Sequence, residues 1–579
     1  MAPVRVFHIS PECCGQARIA QLFRRSGHQV TAHEKGALAE DITYCEAADE
    51  APLQRWPQTC LFTGLYRHGP IWRPPLEGWR SVAFLRRHFP EAIFILTTRE
   101  AERWLLDRVA HAEGMGLRNH AHFHDISPEQ VLERWHEDWP AHCAAVRDLF
   151  QGDPRLIEID LDLQTPRDLC ARLSQFLPII VPAHDHWGPP EEALSLTLMD
   201  RLLEAAGPVA SPDSDVLARE IAAFCLKGSS GGAPVTKTND FRGLSPLYRE
   251  WDGQQRIISA SGQDGDLRIG QLPSMNRPVA MAKGLGRAKE GRAEGVINSV
   301  LALGRRQPLR MDMEDSRWFG TPQGQMLSGP VLCHNRRRDA ENAVLWPLPE
   351  LHEIGGPGFD PRAGDDLPFE EKRDQVFWRG MISGHLITGE ERPGPASFSL
   401  LKQLELAGDH PEARQRAWNR LLRSSRMAVV HRWRDHPDYD LGVVLAWAFR
   451  HFGEDKLLAP YCKPRANRNK MLQYRYQLYM AGYDHGSNFI PAINSRAVLL
   501  KEEDGWEVFY SGLFKPWKHY IPLARYCVDI AEKLAWAREN PNKCKEMSEA
   551  ARSVVLQLCD PGLRRATLGH ILDGLLSPG

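Results

Sequence analysis

The stretch YMAGYDHGSNF, residues 479–489, closes a tyrosine-rich segment and interrupts it with Gly482, Asp484, Gly486, Ser487 and Asn488. The run SRAVLLK that follows reads as a buried strand, so this small polar turn lies inside a folded α/β unit. Two readings fit it from the residues alone: a phosphate cradle at a helix start, or an ordinary turn.

Working outward, the α/β rhythm extends upstream through VINSVLALG, PLRMDM, GPVLCHN, QVFWRGM and MAVVHRW. It ends downstream in a long charged helix near VDIAEKLAWARENPNKCKEMSEAARSVVLQL. A second alternation occupies the first 185 residues: VRVFHI, a helix over about 18–26, AIFILTT, EAERWLLDRVAHA and RLIEIDL, an order that predicts a parallel sheet with covering helices. Ser127, Pro128 and Gln130 spell a capped helix start. The stretches FLPIIVPAHDHWGPPEEA and KGSSGGAPVTKTND read as linkers or surface loops. The expected organisation is 1–185, 186–294 as linker and entry, and 295–579.

A chain of 579 residues is too long for one core, and about three to five domains are expected. With 72 Lys plus Arg against 74 Asp plus Glu there is no global electrostatic footprint for nucleic acid, so any anion must be caught locally. No basic leader precedes an apolar region and no run of about 18 apolar residues occurs, which predicts a cytoplasmic protein without a transmembrane segment; contact with the inner face of the cytoplasmic membrane stays open. Twelve cysteines without a C-x-x-C suit a reducing compartment and offer no zinc framework. His120, His122 and His124 alternate, and would share one face only if extended. Asp160 and Asp162 form a D-x-D at the end of an apolar strand. Neither pattern is taken as a metal site.

The segments VFHISPECCGQARIAQLF and FPEAIFILTTREAERWLLD resemble the sulfotransferase fold, and HEDWPAHCAAVRDLF with PRLIEIDLD extends the likeness over about residues 3–185. The resemblance implies a basic, hydroxyl-bearing first turn gripping a phosphosulfate, and an arginine and a serine for a 3'-phosphate. Here Glu12, Cys13, Cys14 and Gln16 surround Gly15. Arg99 stands at the arginine's place, and Asp107 at the serine's. This implies a degenerate, inactive sulfotransferase-like domain.

Four segments, PLRMDMEDSRW, VFWRGMISG, YRYQLYMAGYDHGSNF and GWEVFYSGLFKPWKHYIPL, resemble in order and spacing glycosyltransferase family 90, which includes capsule-associated, protein O-glucosyltransferase and lipopolysaccharide-modifying members. The resemblance implies a GT-B type enzyme of two Rossmann-like subdomains, working by inversion without a metal or other cofactor. Asp315 aligns with the family's base, with Asp312 as the alternative. Arg379 and Gly380 end a strand and would meet a diphosphate, and Gly482 and Gly486 would let backbone approach it. Ser487 and Asn488 would cap the next helix and donate to phosphate. Asp484 is expected to hold the loop or touch a sugar hydroxyl, and Glu507 to grip ribose or sugar. Asn488 stands where animal members carry a cation, and Arg496 is one candidate substitute. The run 336–338 of arginines could face an anionic acceptor.

The function expected is transfer of glucose or xylose from UDP-glucose or UDP-xylose to a hydroxyl of a surface glycan, lipopolysaccharide or capsule. The partners are then a nucleotide sugar and a glycan or glycolipid acceptor, with no nucleic acid. The alternatives are a bifunctional sulfotransferase/glycosyltransferase and a non-catalytic glycan-binding protein.

Overall fold

The structure is a computed structural model. It describes residues 4–68, 73–183, 186–187, 214–230, 245–261, 267–272, 277–282, 290–349, 351–352, 354–355, 365–389 and 394–576. The chain divides into two units whose segments interleave. Unit 1 is Met1–Pro208, Arg249–Pro308 and Gly356–Gly358, and unit 2 is Val209–Tyr248, Leu309–Gly355 and Phe359–Gly579. Of the two stretches read as linkers, residues 184–185, 188–193 and 231–240 lie outside the described residues.

Unit 1 contains β1 (Val6–His8), α1 (Gln16–Arg25), β2 (Val30–Ala32), β3 (Leu61–Thr63), β4 (Ile93–Thr98), α2 (Ala101–Ala110), α3 (Met115–His124), α4 (Pro128–Leu149) and β5 (Leu156–Asp160). The strands lie in the order β2-β3-β1-β4-β5, every pair parallel. The three fully buried positions of β1 and the apolar run of β4 are what a sheet covered on both faces requires. The helix over 128–149 starts as the sequence predicts: Ser127 Oγ accepts from Gln130 N at 3.2 Å and Gln130 Oε1 from Ser127 N at 2.9 Å. His120, His122 and His124 fall in α3, a helix and not an extended segment, so His122 leaves the face that His120 and His124 share, their rings 5.6 Å apart. His120 packs its ring edge-on to Trp135 at 5.1 Å.

Unit 2 carries β6 (Leu309–Asp312), β7 (Val331–Cys333), β8 (Arg336–Arg337) and β9 (Ala343–Leu345), followed by β10 (Arg373–Gly380), α5 (Ser425–Trp433), β11 (Tyr439–Val443), β12 (Tyr474–Tyr479), α6 (Phe489–Ile493), β13 (Val498–Glu502), β14 (Trp506–Glu507) and β15 (Ile521–Leu523). Strands β6, β7 and β9 pair in parallel. The sheet β11-β10-β12-β13-β15 is parallel throughout, and β8 pairs antiparallel with β14. The SRAVLLK strand is β13, buried along nearly its whole length. MAVVHRW belongs to helix α5, and one expected element differs: the long terminal helix is two, α7 (Ile530–Glu539) and α8 (Pro541–Leu558). Pro541 has no N–H to continue the first helix and suits the start of the second.

The sheets β2-β3-β1-β4-β5 and β11-β10-β12-β13-β15 each reverse their order of addition beside a central strand, between β1 and β4 in unit 1 and between β10 and β12 in unit 2. In open parallel sheets, ligand crevices form beyond the carboxyl ends of the strands at such reversals.

Candidate functional site

Unit 2 has a cleft of about 560 Å³ at that place. Its wall is built from residues following four sheet strands: His385, Thr388 and Gly389 after β10, Gly482 and Tyr483 after β12, Glu503 to Gly505 after β13, and Arg525 and Tyr526 after β15. Trp318, Arg337, Arg338 and Trp506 complete it. The Arg337 guanidinium stacks 4.7 Å from the Trp318 ring and 5.3 Å from the Trp506 ring, and donates to the Asp504 carbonyl at 2.7 Å. Gly505 has φ +78°, and a Cβ there would meet the same guanidinium at 2.5 Å. Arg338 and Arg525 are the more exposed cations, at 64% and 39% of their side-chain surface. The cleft thus offers flat aromatic surface beside positive charge, the two things a nucleoside diphosphate needs.

The glycine turn forms part of this wall, but by a different construction from that expected. Neither Gly482 nor Gly486 has a positive φ; each is small because a neighbour occupies the space. A Cβ on Gly482 would meet Ser383 Oγ at 2.5 Å and Arg426 Nη2 at 3.1 Å, and one on Gly486 would meet Asn488 Oδ1 at 2.8 Å. Arg426 donates to the carbonyls of Met480 (2.9 Å), Ala481 (3.1 Å) and Met381 (3.2 Å), so it grips the turn by its backbone, while desolvation lowers its pKa. From the other side the Glu502 carboxylate accepts from Ala481 N at 3.0 Å, Arg525 Nη1 at 2.5 Å and Tyr526 N at 2.8 Å. Tyr526 and Cys527 both sit in the left-handed region, φ 60° and 53°, strain that this clamp must hold. Helix α6 after the turn has only five residues, and Asn488 at its N-cap makes no side-chain cap bond, so the expected helix-dipole cradle is not what the turn builds. Ser487 is exposed.

Beside the cleft, three residues apart in sequence from Trp318 and adjacent to Tyr483, stand Asp315 and Asp484. His334 Nε2 lies 3.8 Å from a carboxylate oxygen of each. Asp315 is half exposed, whereas His334 is buried. Asp484 Oδ2 accepts the backbone N–H of Ser316 at 3.0 Å and Asn335 Nδ2 at 3.2 Å. The same Asn335 amide lies 2.6 Å from His334 Nε2. The three groups are close enough to hold a small cation, their ligand atoms all within 4.8 Å of one another, but the Asn335 N–H already supplies positive hydrogen between two of them. Around them Ser316 Oγ, His334 Nδ1, Asn335 Oδ1 and His485 Nε2 are buried without a hydrogen-bond partner, which suits a site that receives a hydroxylated ligand.

Several expected site residues are used elsewhere. Asp312 is fully buried and accepts from Ser245 Oγ (2.5 Å), Ser245 N (3.2 Å) and Glu314 N (3.2 Å), so it is unsuited to take a proton from a substrate. Arg379 does not line the cleft, because its guanidinium is committed to Asp440; Gly380 is packed under the Trp378 indole, 2.5 Å from where a Cβ would stand. Glu507 is buried against Arg336 at 3.1 Å, and Arg336 donates to four backbone carbonyls, so neither meets a ligand in the cleft. Arg496 is absent from the cleft lining, and only its backbone N–H is engaged with Asp365 Oδ2, at 2.7 Å. Sequence reasoning missed His334, Asn335, Asp504 and Arg525. The His-Asn pair directly after strand β7 was the available signal for the first two.

Unit 1 has its own cleft of about 960 Å³, lined by Gly15, Gln16, Arg18, Arg99, Asp107 and Trp187 among others. Arg99 is paired with Asp107 at 2.8 Å and donates to the Cys13 carbonyl at 2.7 Å. Glu12 is fully buried on Arg108 (2.5 Å) and His68 (2.7 Å). Asp160 and Asp162 accept backbone N–H groups of Asp162 (2.9 Å) and Glu100 (2.7 Å), which gives the D-x-D a structural use.

The parallel sheet of unit 2, its cleft beyond the strand ends and the carboxylates beside it define an α/β protein with a ligand crevice at a topological switch point. Residues 448–559 match the family model for glycosyl transferase family 90. The chain is 27% identical to protein O-glucosyltransferase 3 of Mus musculus and 26% to that of Homo sapiens over 145 residues, 24% of this chain and 27% of either relative. It is 31% identical over 91 residues to the uncharacterized protein 035R of Invertebrate iridescent virus 3, 15% of this chain and 8% of that protein. The chain thus spans about a quarter or less of the curated relatives it matches. Together these matches support a glycosyltransferase. No helix among the described residues is long and apolar enough to cross a membrane.

Proposed function

We propose that the chain is an inverting, metal-independent glycosyltransferase that moves glucose or xylose from its UDP-sugar to a hydroxyl of a surface glycan, lipopolysaccharide or capsule. The observation that carries this reading is that the family match at 448–559 contains half of the residues lining the cleft: Gly482, Tyr483, Glu503 to Trp506, Arg525 and Tyr526. UDP lies in the cleft, its base against the Trp318 and Trp506 side and its diphosphate charge met by Arg338 and Arg525. Asp315, half exposed, takes the proton of the acceptor hydroxyl as its oxygen attacks the anomeric carbon. The bond from that carbon to the β-phosphate oxygen breaks, and the electron pair leaves with UDP. The Asn335 amide between His334 and Asp484 supports a reaction without a bridging metal.

Labelled UDP-glucose and UDP-xylose with a deacylated lipopolysaccharide or capsular acceptor test the reading. One donor is expected to release UDP, and Asp315→Asn to abolish release while calorimetry still finds UDP bound. Unchanged turnover in that variant removes Asp315 as base, and failure of every nucleotide sugar to bind removes the enzyme reading.

A further inference from the structure

We infer that Asp484 is a positioning residue that sets the geometry of Asp315 through the backbone of Ser316; this rests on the reading of Asp315 as base. Ser316 has φ 56°, a left-handed conformation that is strained for a residue with a Cβ and persists only when something holds it. The holder is Asp484, whose Oδ2 accepts the Ser316 N–H at 3.0 Å. That N–H belongs to the peptide joining Asp315 to Ser316. Fixing its plane therefore fixes the direction in which the Asp315 side chain leaves the backbone.

A second support converges on the same loop. Asn335 Nδ2 donates to Asp484 Oδ2 at 3.2 Å and reaches the Glu314 carbonyl at 3.5 Å, so residues 314 and 316 are both tied to the Asp484–Asn335 pair. Asp484 itself is absent from the cleft lining, although Gly482 and Tyr483, two residues and one residue before it, are part of that lining. The expected alternative for Asp484, contact with a sugar hydroxyl, leaves the Ser316 bond unexplained. One short turn thus presents a wall to the donor and, through its next residue, aims the base.

The test compares Asp484→Ala, Asp484→Asn and Asp315→Asn in the full chain, using UDP release from the accepted donor, its KM, UDP affinity by calorimetry and the melting temperature. Positioning predicts that Asp484→Ala lowers kcat by about tenfold or more with KM and UDP affinity within about twofold. Asp484→Asn, which keeps an oxygen to accept the Ser316 N–H, should recover most of kcat, a rescue that a simple loss of stability would not give. The inference is overturned if Asp484→Ala keeps kcat within twofold, or if both variants lose UDP affinity as steeply as turnover, since that identifies a donor contact. If Asp484→Ala does not fold, Asp484→Asn with kcat lost and KM unchanged also overturns it. Turnover surviving in Asp315→Asn fails the base reading itself, whereas loss there with full activity in Asp484→Ala fails only the positioning.

Discussion

Arg379 and Asp440 are joined at two points: Arg379 Nη2 donates to the Asp440 carboxylate and Nη1 to the Asp440 carbonyl, each at 2.7 Å. Lys463 and Tyr474 converge on the same carboxylate at 2.6 Å each. Against desolvation, these three partners hold Asp440 below the ordinary carboxylate range. The arginine at the end of β10 is therefore a brace between adjacent strands. Arg379→Ala should lower stability by about 1–3 kcal/mol and leave UDP affinity within about twofold. A melt and a calorimetric titration check this; a tenfold loss of affinity with an unchanged melting temperature would return Arg379 to the donor site.

Gly482 gives a sharper test of the turn. Gly482→Ala places a methyl 2.5 Å from Ser383 Oγ and 3.1 Å from Arg426 Nη2, too close without movement of the turn. UDP affinity should fall by about tenfold, in line with roughly 1–3 kcal/mol for overpacking. Ser383→Ala removes the nearer obstacle, so the double variant should regain part of the loss. Additive losses would show that the crowding at Gly482 is not what shapes the cleft.

How much of this was legible follows from where each residue's partners lie in the chain. The strand over 498–502, the capped helix at Ser127 and the parallel sheet of unit 1 rest on local pattern and could be read directly. Asp315 could be named from its segment, because a carboxylate past a strand end is a local feature. The engagement of Arg379 with Asp440, 61 residues away, and of Glu507 with Arg336, 171 residues away, depends on tertiary pairing that no local pattern encodes. Gly482 and Gly486 looked like backbone freedom in sequence, but they answer to side-chain crowding from Ser383, Arg426 and Asn488.

The absence of a cation at Asn488 raised the question of what meets the donor's charge. Arg338 and Arg525 are the exposed candidates in the cleft. Arg338→Ala and Arg525→Ala should each weaken UDP binding by about three- to tenfold and flatten its dependence on salt. Only Arg525→Ala should also lower the melting temperature, because Glu502, 2% exposed, loses its charged partner. UDP titrations at two salt concentrations decide it. Unchanged affinity in both variants would move the diphosphate elsewhere.

Unit 1 should be acid-sensitive through buried histidines. His8 lies between Thr63 Oγ1 (2.9 Å) and Thr97 Oγ1 (2.7 Å), and burial holds its pKa at about 3; burial lowers His142 to about 4 against the Ile9 carbonyl that raises it. Unfolded histidine titrates near 6.5. Their contribution is thus present above that pH and lost as pH falls toward 3–4. At pH 5 each costs about 2 kcal/mol relative to pH 7.5. The melting temperature of unit 1 should fall between these pH values, and His142→Gln should make the fall shallower.

Asp504 acts with the opposite sign in unit 2. It is 4% exposed, accepts from Trp506 N at 2.8 Å and lies 3.4 Å from the Tyr479 hydroxyl. Desolvation, aided by Glu502 and opposed by Lys501 and Arg525, pushes its carboxyl up to about 6. Because the folded value lies above the unfolded value near 3.9, the folded state holds its proton more firmly, and the stability this confers is lost as pH rises through 6. Above that pH the buried carboxylate costs on the order of 3 kcal/mol relative to the protonated form. Asp504→Asn keeps an oxygen for the Trp506 N–H and carries no charge. It should raise the melting temperature of unit 2 at pH 8 and leave it nearly unchanged at pH 4.5. An equal shift at both pH values would mean that packing, and not the buried charge, sets the effect.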